Sequence, residues 1–312
     1  MANRQAHGTS PAIRRPLPPG FRGEGQCRQG LAARELMRLV VLVFLAASAF
    51  GADLNVPSRD LYAGWLKMYD LKFDDAHQIF GEWKQGHPAD ALGPASDAAA
   101  YLFSELARLG ILESELFTDD AKFQNRAKPR PDPQLRPLFD REIEQTEHLA
   151  DAALQTAPAD ANALFAKSLT FGLRADFASL IEKQDFAALR FTKQGRAFTD
   201  KLTAINPNAY DAYLGVGIEN YLLSLKPAPL RALLWVTGSQ VDREKGLENL
   251  RKTAQYGHYL APFAKLLLAV AALRDNNRSL ARELLTGLHN RFPDNPLYLS
   301  ELDRLTPKIG PK

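Results

Sequence analysis

The chain reads as an all-α protein, an α-solenoid of stacked helical hairpins. Two observations predict this. First, two segments far apart share one spacing: Gly64, Ala76, Phe80 and Pro88 recur as Ala269, Ala281, Leu285 and Pro293. A small residue lets two antiparallel helices approach closely, the large apolar residue fills the gap, and proline ends the second helix. Second, from Ser58 onward apolar residues recur at helical spacing, with no alternating strand pattern between them.

The segments before Ser58 are of another kind. Residues 1–36 hold Pro11, Pro16, Pro18 and Pro19 among arginine, glycine and serine, a composition that cannot bury a core. Met37-Arg38 then opens a wholly apolar run from Leu39 to Ala47, followed by Ala47-Ser48-Ala49 and Phe50-Gly51-Ala52. A basic start, a short apolar run and small residues predict a signal peptide over 37–52, cleaved after Ala49 or Ala52. The other reading of the run is a buried helix, but it has no polar face. It is too short to span a bilayer comfortably, so no stable membrane span is expected. On this reading residues 1–36 are a mis-placed start upstream of Met37, or a cytoplasmic tail ahead of a signal anchor. The expected localisation is exported, periplasmic or secreted.

The helical domain is expected over 53–312. A first hairpin runs from Arg59 to Gln85, capped by Ser58 and turning at Leu71–Phe73. Ser96 caps the next helix, Ala98 to Leu109, and Gly110 stops it. The stretch 118–137 carries Pro129, Pro131, Pro133 and Pro137, which predicts a long exposed loop. Helices resume at Leu138. Pro158 and Pro207 close helices, and Ser168 and Gly217 follow each at the offset that a period of about 34 residues requires. Extra helical residues fall at Asp176–Leu189, and a further apolar segment at Leu230–Val236. Ser239-x-x-Asp242 has the form of a capping box, opening a helix that runs to Tyr256 and stops at Gly257. The last hairpin spans Tyr259 to Arg291, and Leu297–Leu305 covers the open end.

These spacings resemble the tetratricopeptide-repeat superfamily over about residues 58–305, with degenerate units in the middle. The stretch from Asp242 to Pro296 is similar to degenerate tetratricopeptide proteins of exported bacterial type and of eukaryotic outer-membrane-associated forms. The resemblance implies a non-enzymatic scaffold or adaptor that binds another protein through a curved surface. In that superfamily the first helix of each hairpin lines the concave face. Here that stripe takes Leu61 and Trp65, Phe165 and Leu169, Leu214, Ile218 and Tyr221, then Leu266, Val270 and Leu273. The candidate binding residues are therefore Trp65, Phe165, Leu169, Ile218 and Tyr221. Two arrangements remain open: an apolar groove, able to carry a lipid or other apolar small molecule, or a core filled by the segments at Asp176–Leu189 and Leu230–Val236. Superfamily members that clamp a carboxylate terminus carry Lys and Asn on this stripe, and this chain has neither there.

Charge narrows the partners. The net charge of +3 arises in residues 1–52, which hold seven Arg, no Lys and two Glu; the remaining 260 residues hold 32 basic and 34 acidic groups. The helical domain therefore has no basic excess for a phosphate backbone, and nucleic acid is not an expected partner. The one cysteine, Cys27, lies before Met37, so the domain has neither disulfide nor thiolate site. Glu144, His148 and Asp151 share a helical face but lack ligands from a second element, so no metal or cofactor is expected. Asp242 to Lys245 is a first helical turn rich in charge, which fits capping better than acid–base catalysis. No phosphate loop or nucleophile elbow is present, and no catalytic residue is expected.

Overall fold

The hairpins predicted from the spacing are present in the computed structural model, which describes residues 59–112, 127–226 and 241–305, with single positions at 118, 125, 228 and 231. All of them lie in the unit Gly51–Lys312. Eleven helices and no strand occur among the described residues. The signal peptide, Ser58, residues 119–124 and 126 of the expected loop, Ser239 and, apart from Arg231, Leu230–Val236 lie outside them.

The first hairpin pairs α1 (Arg59–Tyr69) with α2 (Phe73–Gly86). Its turn is made at Leu71, which takes a left-handed φ of 58°. Lys72 N donates to Lys67 O at 2.9 Å and Leu71 N to Met68 O at 3.0 Å, which satisfies the last carbonyls of α1. The next helix, α3 (Leu92–Arg108), begins earlier than expected. The Asp90 carboxylate accepts from Leu92 N at 2.9 Å and opens it there. Ser96 is therefore no cap; it sits inside the helix, and its hydroxyl accepts from Trp65 Nε1 at 2.9 Å. Gly110 does end the helix, at φ 66°.

The helix α4 (Leu135–Thr156) also starts sooner than predicted, because Pro137 falls in its first turn, where the missing N–H has no partner to lose. Residues 127–134 stay irregular and mostly exposed. They are tied down by Arg108 donating to Arg130 O and by Asp132 N donating to Glu105 Oε1, both at 2.9 Å. Asp160 caps α5 (Ala161–Asp176), accepting from Ala163 N at 2.8 Å. A π-helical turn, Phe177–Ile181, continues α5 before α6 (Asp185–Ile205). The residues at 176–189 thus lengthen this hairpin and do not form an inserted helix.

A 3₁₀ turn at Tyr210–Ala212 leads into α7 (Tyr213–Ser224). Asp242 caps α8 (Arg243–Tyr256) by accepting from Lys245 N at 3.0 Å. The chain finishes with α9 (Ala261–Arg274), α10 (Arg278–Arg291) and α11 (Pro296–Leu305). Successive helices pair as α1/α2, α3/α4, α5/α6, α7/α8 and α9/α10, and α11 packs on α10. The small residues lie where the pairs cross. A Cβ added at Gly64 would fall 2.3 Å from the Phe80 ring, and one at Gly217 3.1 Å from Leu250. A Cβ added at Gly246 would fall 2.6 Å from the Tyr221 backbone N and 3.0 Å from Gly217 O, so α7 and α8 approach main chain to main chain. Ser168 instead meets Thr199, hydroxyl to hydroxyl, at 2.6 Å.

Candidate functional site

The inner stripe is packed. Trp65 is 1% exposed and Phe165 2%, with Leu169 and Ile218 half-buried against the same core, and Tyr221, 4% exposed, sits in a second cluster with Leu247 and Ala271. The first hairpin folds back onto the last. Tyr69 Oη donates to Tyr259 O at 2.9 Å, and Asn295 Nδ2 donates to Tyr69 O at 2.8 Å. The Trp65 and Tyr259 ring centroids are 5.7 Å apart, those of Phe165 and Tyr259 6.3 Å, and those of Tyr69 and Phe292 5.7 Å. Closure of the two ends thus covers Trp65 and Phe165 with aromatic side chains, while Tyr221 is buried against Leu247 and Ala271. Tyr259 and Phe292 were not singled out in the sequence. Their signal was present as aromatic residues at the two borders of the last hairpin, but nothing local says that they meet residues about 190 and 220 positions earlier.

A polar rim surrounds this seam. Lys72 pairs with Asp294 at 2.5 Å and with Asp70 at 3.3 Å, and Asp294 N donates to Asp70 Oδ1 at 3.1 Å. The Arg291 guanidinium donates to the Tyr62 hydroxyl, and the Tyr62 ring stacks on His258 with centroids 4.0 Å apart. Burial, and then repulsion from Arg291, hold the His258 imidazole below its ordinary pKa.

Behind the seam, Asp211 fixes the entry to α9. Its carboxylate accepts from His258 N at 2.9 Å, Tyr259 N at 3.1 Å and Leu260 N at 2.9 Å. Burial pushes the Asp211 carboxyl up against the opposing pull of these bonds. Gly257 is required beside it: a Cβ there would lie 2.7 Å from Asp211 Oδ1 and 2.5 Å from Thr253 O.

The other charged clusters are paired within the fold. Lys84 Nζ reaches Asp97 Oδ2 at 2.5 Å and Glu142 Oε2 at 2.7 Å, and His77 Nδ1 meets Asp97 Oδ1 at 2.5 Å. Burial by itself lowers the Lys84 pKa, but the hydrogen bonds to Asp97 and Glu142 outweigh it and hold the ammonium above its ordinary value. This network joins α2, α3 and α4. Asp151 of the His148 face pairs with Lys167 Nζ at 2.8 Å, and no metal-binding group of side chains occurs among the described residues. In the charged turn at 242–245, Asp242 caps α8 and Arg243 reaches the Asp275 carboxylate at 2.6 Å, tying α8 to the end of α9. Among the described residues no helix is long and apolar enough to cross a membrane.

Paired helices in series, crossing at small residues and ended by proline, form an all-α helical-repeat solenoid. Residues 211–306 match the family model Iml2/Tetratricopeptide repeat protein 39, which supports placement in a tetratricopeptide-like superfamily. The match begins at Asp211 and runs just past α11, covering the last two hairpins and the terminal helix. No curated protein matches the chain.

Proposed function

We propose that this chain is a non-enzymatic scaffold or adaptor that holds a protein partner in the cell envelope, after export on the segment 37–52. One observation carries the scaffold reading: the array closes end to end and seals its inner stripe, making a preformed platform whose outer faces are the ones available to a partner. The place where an apolar ligand would sit in the concavity is taken by Trp65, Phe165 and Tyr259. This weighs for a scaffold and against a lipid carrier. The tetratricopeptide-like fold supports a protein partner, and the tripartite pattern from Met37 to Ala52 supports export.

Affinity capture from native envelope, with mass spectrometry of both proteins and extracted lipids, tests the reading. A recurrent protein partner with no stoichiometric apolar molecule is expected. An apolar molecule recovered one-to-one with the chain would overturn it. The native amino end is expected at Phe50 or Asp53, and recovery of residues 1–36 on the mature protein would remove the export step.

A further inference from the structure

The seam between the first and last hairpins holds an imidazole among aromatic rings and a cation. Tyr62 of α1 stacks on the His258 ring with centroids 4.0 Å apart, and the Tyr259 ring stands edge-on to it at 4.6 Å. Arg291 of α10, which donates to the Tyr62 hydroxyl, is the neighbouring positive charge. Asp211 is the neighbouring anion, and both its oxygens are spent on main-chain N–H groups, that of His258 included. His258 Nε2 is buried and meets no hydrogen-bond partner among the described residues. A neutral imidazole tolerates this, because one of its nitrogens carries no proton. An imidazolium places an N–H at Nε2 with nothing to accept it, and adds a second cation beside Arg291.

The seam itself is built to part. Among the described residues, its hydrogen bonds all use a side chain, as in Tyr69 Oη to Tyr259 O, Asn295 Nδ2 to Tyr69 O and Asp294 N to Asp70 Oδ1. No main-chain bond locks the two ends together there, so they can separate without unwinding a helix. We propose that the contact between α1 and the last hairpin is an acid-released latch with His258 as its proton acceptor. Protonation of the imidazole frees α1 from α10 and uncovers Trp65 beneath Tyr259. The latch goes beyond the scaffold reading and requires neither a partner nor export.

The direction in pH follows from the surroundings. Burial and Arg291 hold the imidazole below its ordinary 6.5, so the closed seam takes the proton less readily than the open one. Closure is fullest above about pH 6.5, weakens as the pH falls below it, and levels off once the closed form is itself protonated. The nearby carboxyls do not share this direction. Burial raises Asp211, so its protonation favours the folded form, and the hydrogen bond from Lys72 lowers Asp294 and keeps it ionised.

The test places spin labels across the seam of the full chain, at Lys67→Cys on α1 and Asn290→Cys on α10, with Cys27→Ser to leave no other thiol. Dipolar electron resonance reads the distance between them. The ratio of long to short distances is expected to rise about threefold or more from about pH 8 to about pH 5, since each unit between the closed and open pKa values is worth about tenfold. His258→Phe keeps a ring against Tyr62 and takes no proton, so its distances are expected to be the same at both pH values. The His258 imidazole, assigned in nuclear magnetic resonance by its cross-peaks to Tyr62, should titrate below its ordinary value and in step with the distances. Unchanged distances in the parent would overturn the latch. An equal acid response in parent and His258→Phe would give the proton to another group and overturn the assignment. Where His258→Phe does not fold, the parent imidazole decides: titration at or above its ordinary value, or out of step with the distances, overturns the proposal.

Discussion

The two ends of the array and its middle use different devices to hold helices together. At the ends, a small residue receives a side chain: Gly64 takes the edge of the Phe80 ring, and Ala269 and Ala281 are both buried in the last hairpin. In the middle the contacts run through the main chain or through polar groups. Gly246 lets the α7 and α8 main chains approach, with Gly217 receiving both the side chain and the backbone N of Leu250, Ser168 meets Thr199, and Asp211 grips three successive N–H groups. A plug by a side chain tolerates exchange of one apolar shape for another. Main-chain approach and a buried carboxylate do not, because nothing can repack around them.

Trp65→Ala attacks the end seam where it is most buried and has the largest expected effect. Loss of the indole leaves a cavity and orphans the Ser96 hydroxyl, costing roughly 3–5 kcal/mol. A thermal melt close to that of the parent would show that the ends do not depend on this contact. Asp211→Ala attacks the middle and leaves the N–H groups of His258, Tyr259 and Leu260 without their acceptor. The expected loss is about 3 kcal/mol, read by denaturant unfolding. Asp211→Asn keeps one carbonyl acceptor and should lose less; equal loss in both variants would mean that charge, not acceptance, is what the site requires.

The glycines sharpen the comparison directly. Gly246→Ala forces the α7 and α8 backbones apart, and Gly64→Ala must displace the Phe80 ring. Each is expected to cost about 1–3 kcal/mol. Pairing each with a smaller neighbour separates them. Phe80→Leu should relieve Gly64→Ala in a double-mutant cycle, whereas Gly246→Ala has no side-chain partner to shrink. Rescue of both, or of neither, would erase the distinction between ends and middle.

The long hairpin supplies a pH test. Burial pushes the Asp176 carboxyl from its ordinary 3.8 up to about 7, just before the π-helical turn. The folded state then holds a proton that the unfolded state releases. Stability is therefore fullest below about pH 4, falls as pH rises toward 7, and levels off above that. Asp176→Asn should remove this slope and be more stable at pH 8 by an amount on the order of 1–3 kcal/mol. A parallel pair of stability–pH curves would exclude it. The smallest effect is expected at the rim: Lys72→Met, which breaks the exposed pairs with Asp294 and Asp70, should barely move the melt and should lose even that difference at high salt.

The ends were legible because their pattern is local. Gly64, Ala76, Phe80 and Pro88 act within one hairpin, and the turn near Leu71–Phe73, the stop at Gly110 and the charged first turn of α8 follow from neighbours a few residues apart. The middle was less so. Ser96 carries a good capping side chain, but Asp90 opens that helix earlier and Trp65 claims the hydroxyl. Pro137 counts against helix in isolation, yet a first turn accepts it. Gly246 was silent because the demand for a missing Cβ comes from Tyr221 on another helix.

The sequence by itself determined an all-helical array, its hairpin period and the small residues at two of its crossings, because helix propensity, capping and proline act over one or two turns. It also limited the chemistry: the helical domain has no cysteine, no phosphate loop and no basic excess. Only the tertiary structure decided that the inner stripe is core. Trp65 and Phe165 have the same periodicity whether they face water, a ligand or protein. What covers them is Tyr259, brought there as Tyr69 meets Tyr259 and Phe292 of the last hairpin, contacts that no local pattern encodes because they join residues about 190 and 220 positions apart.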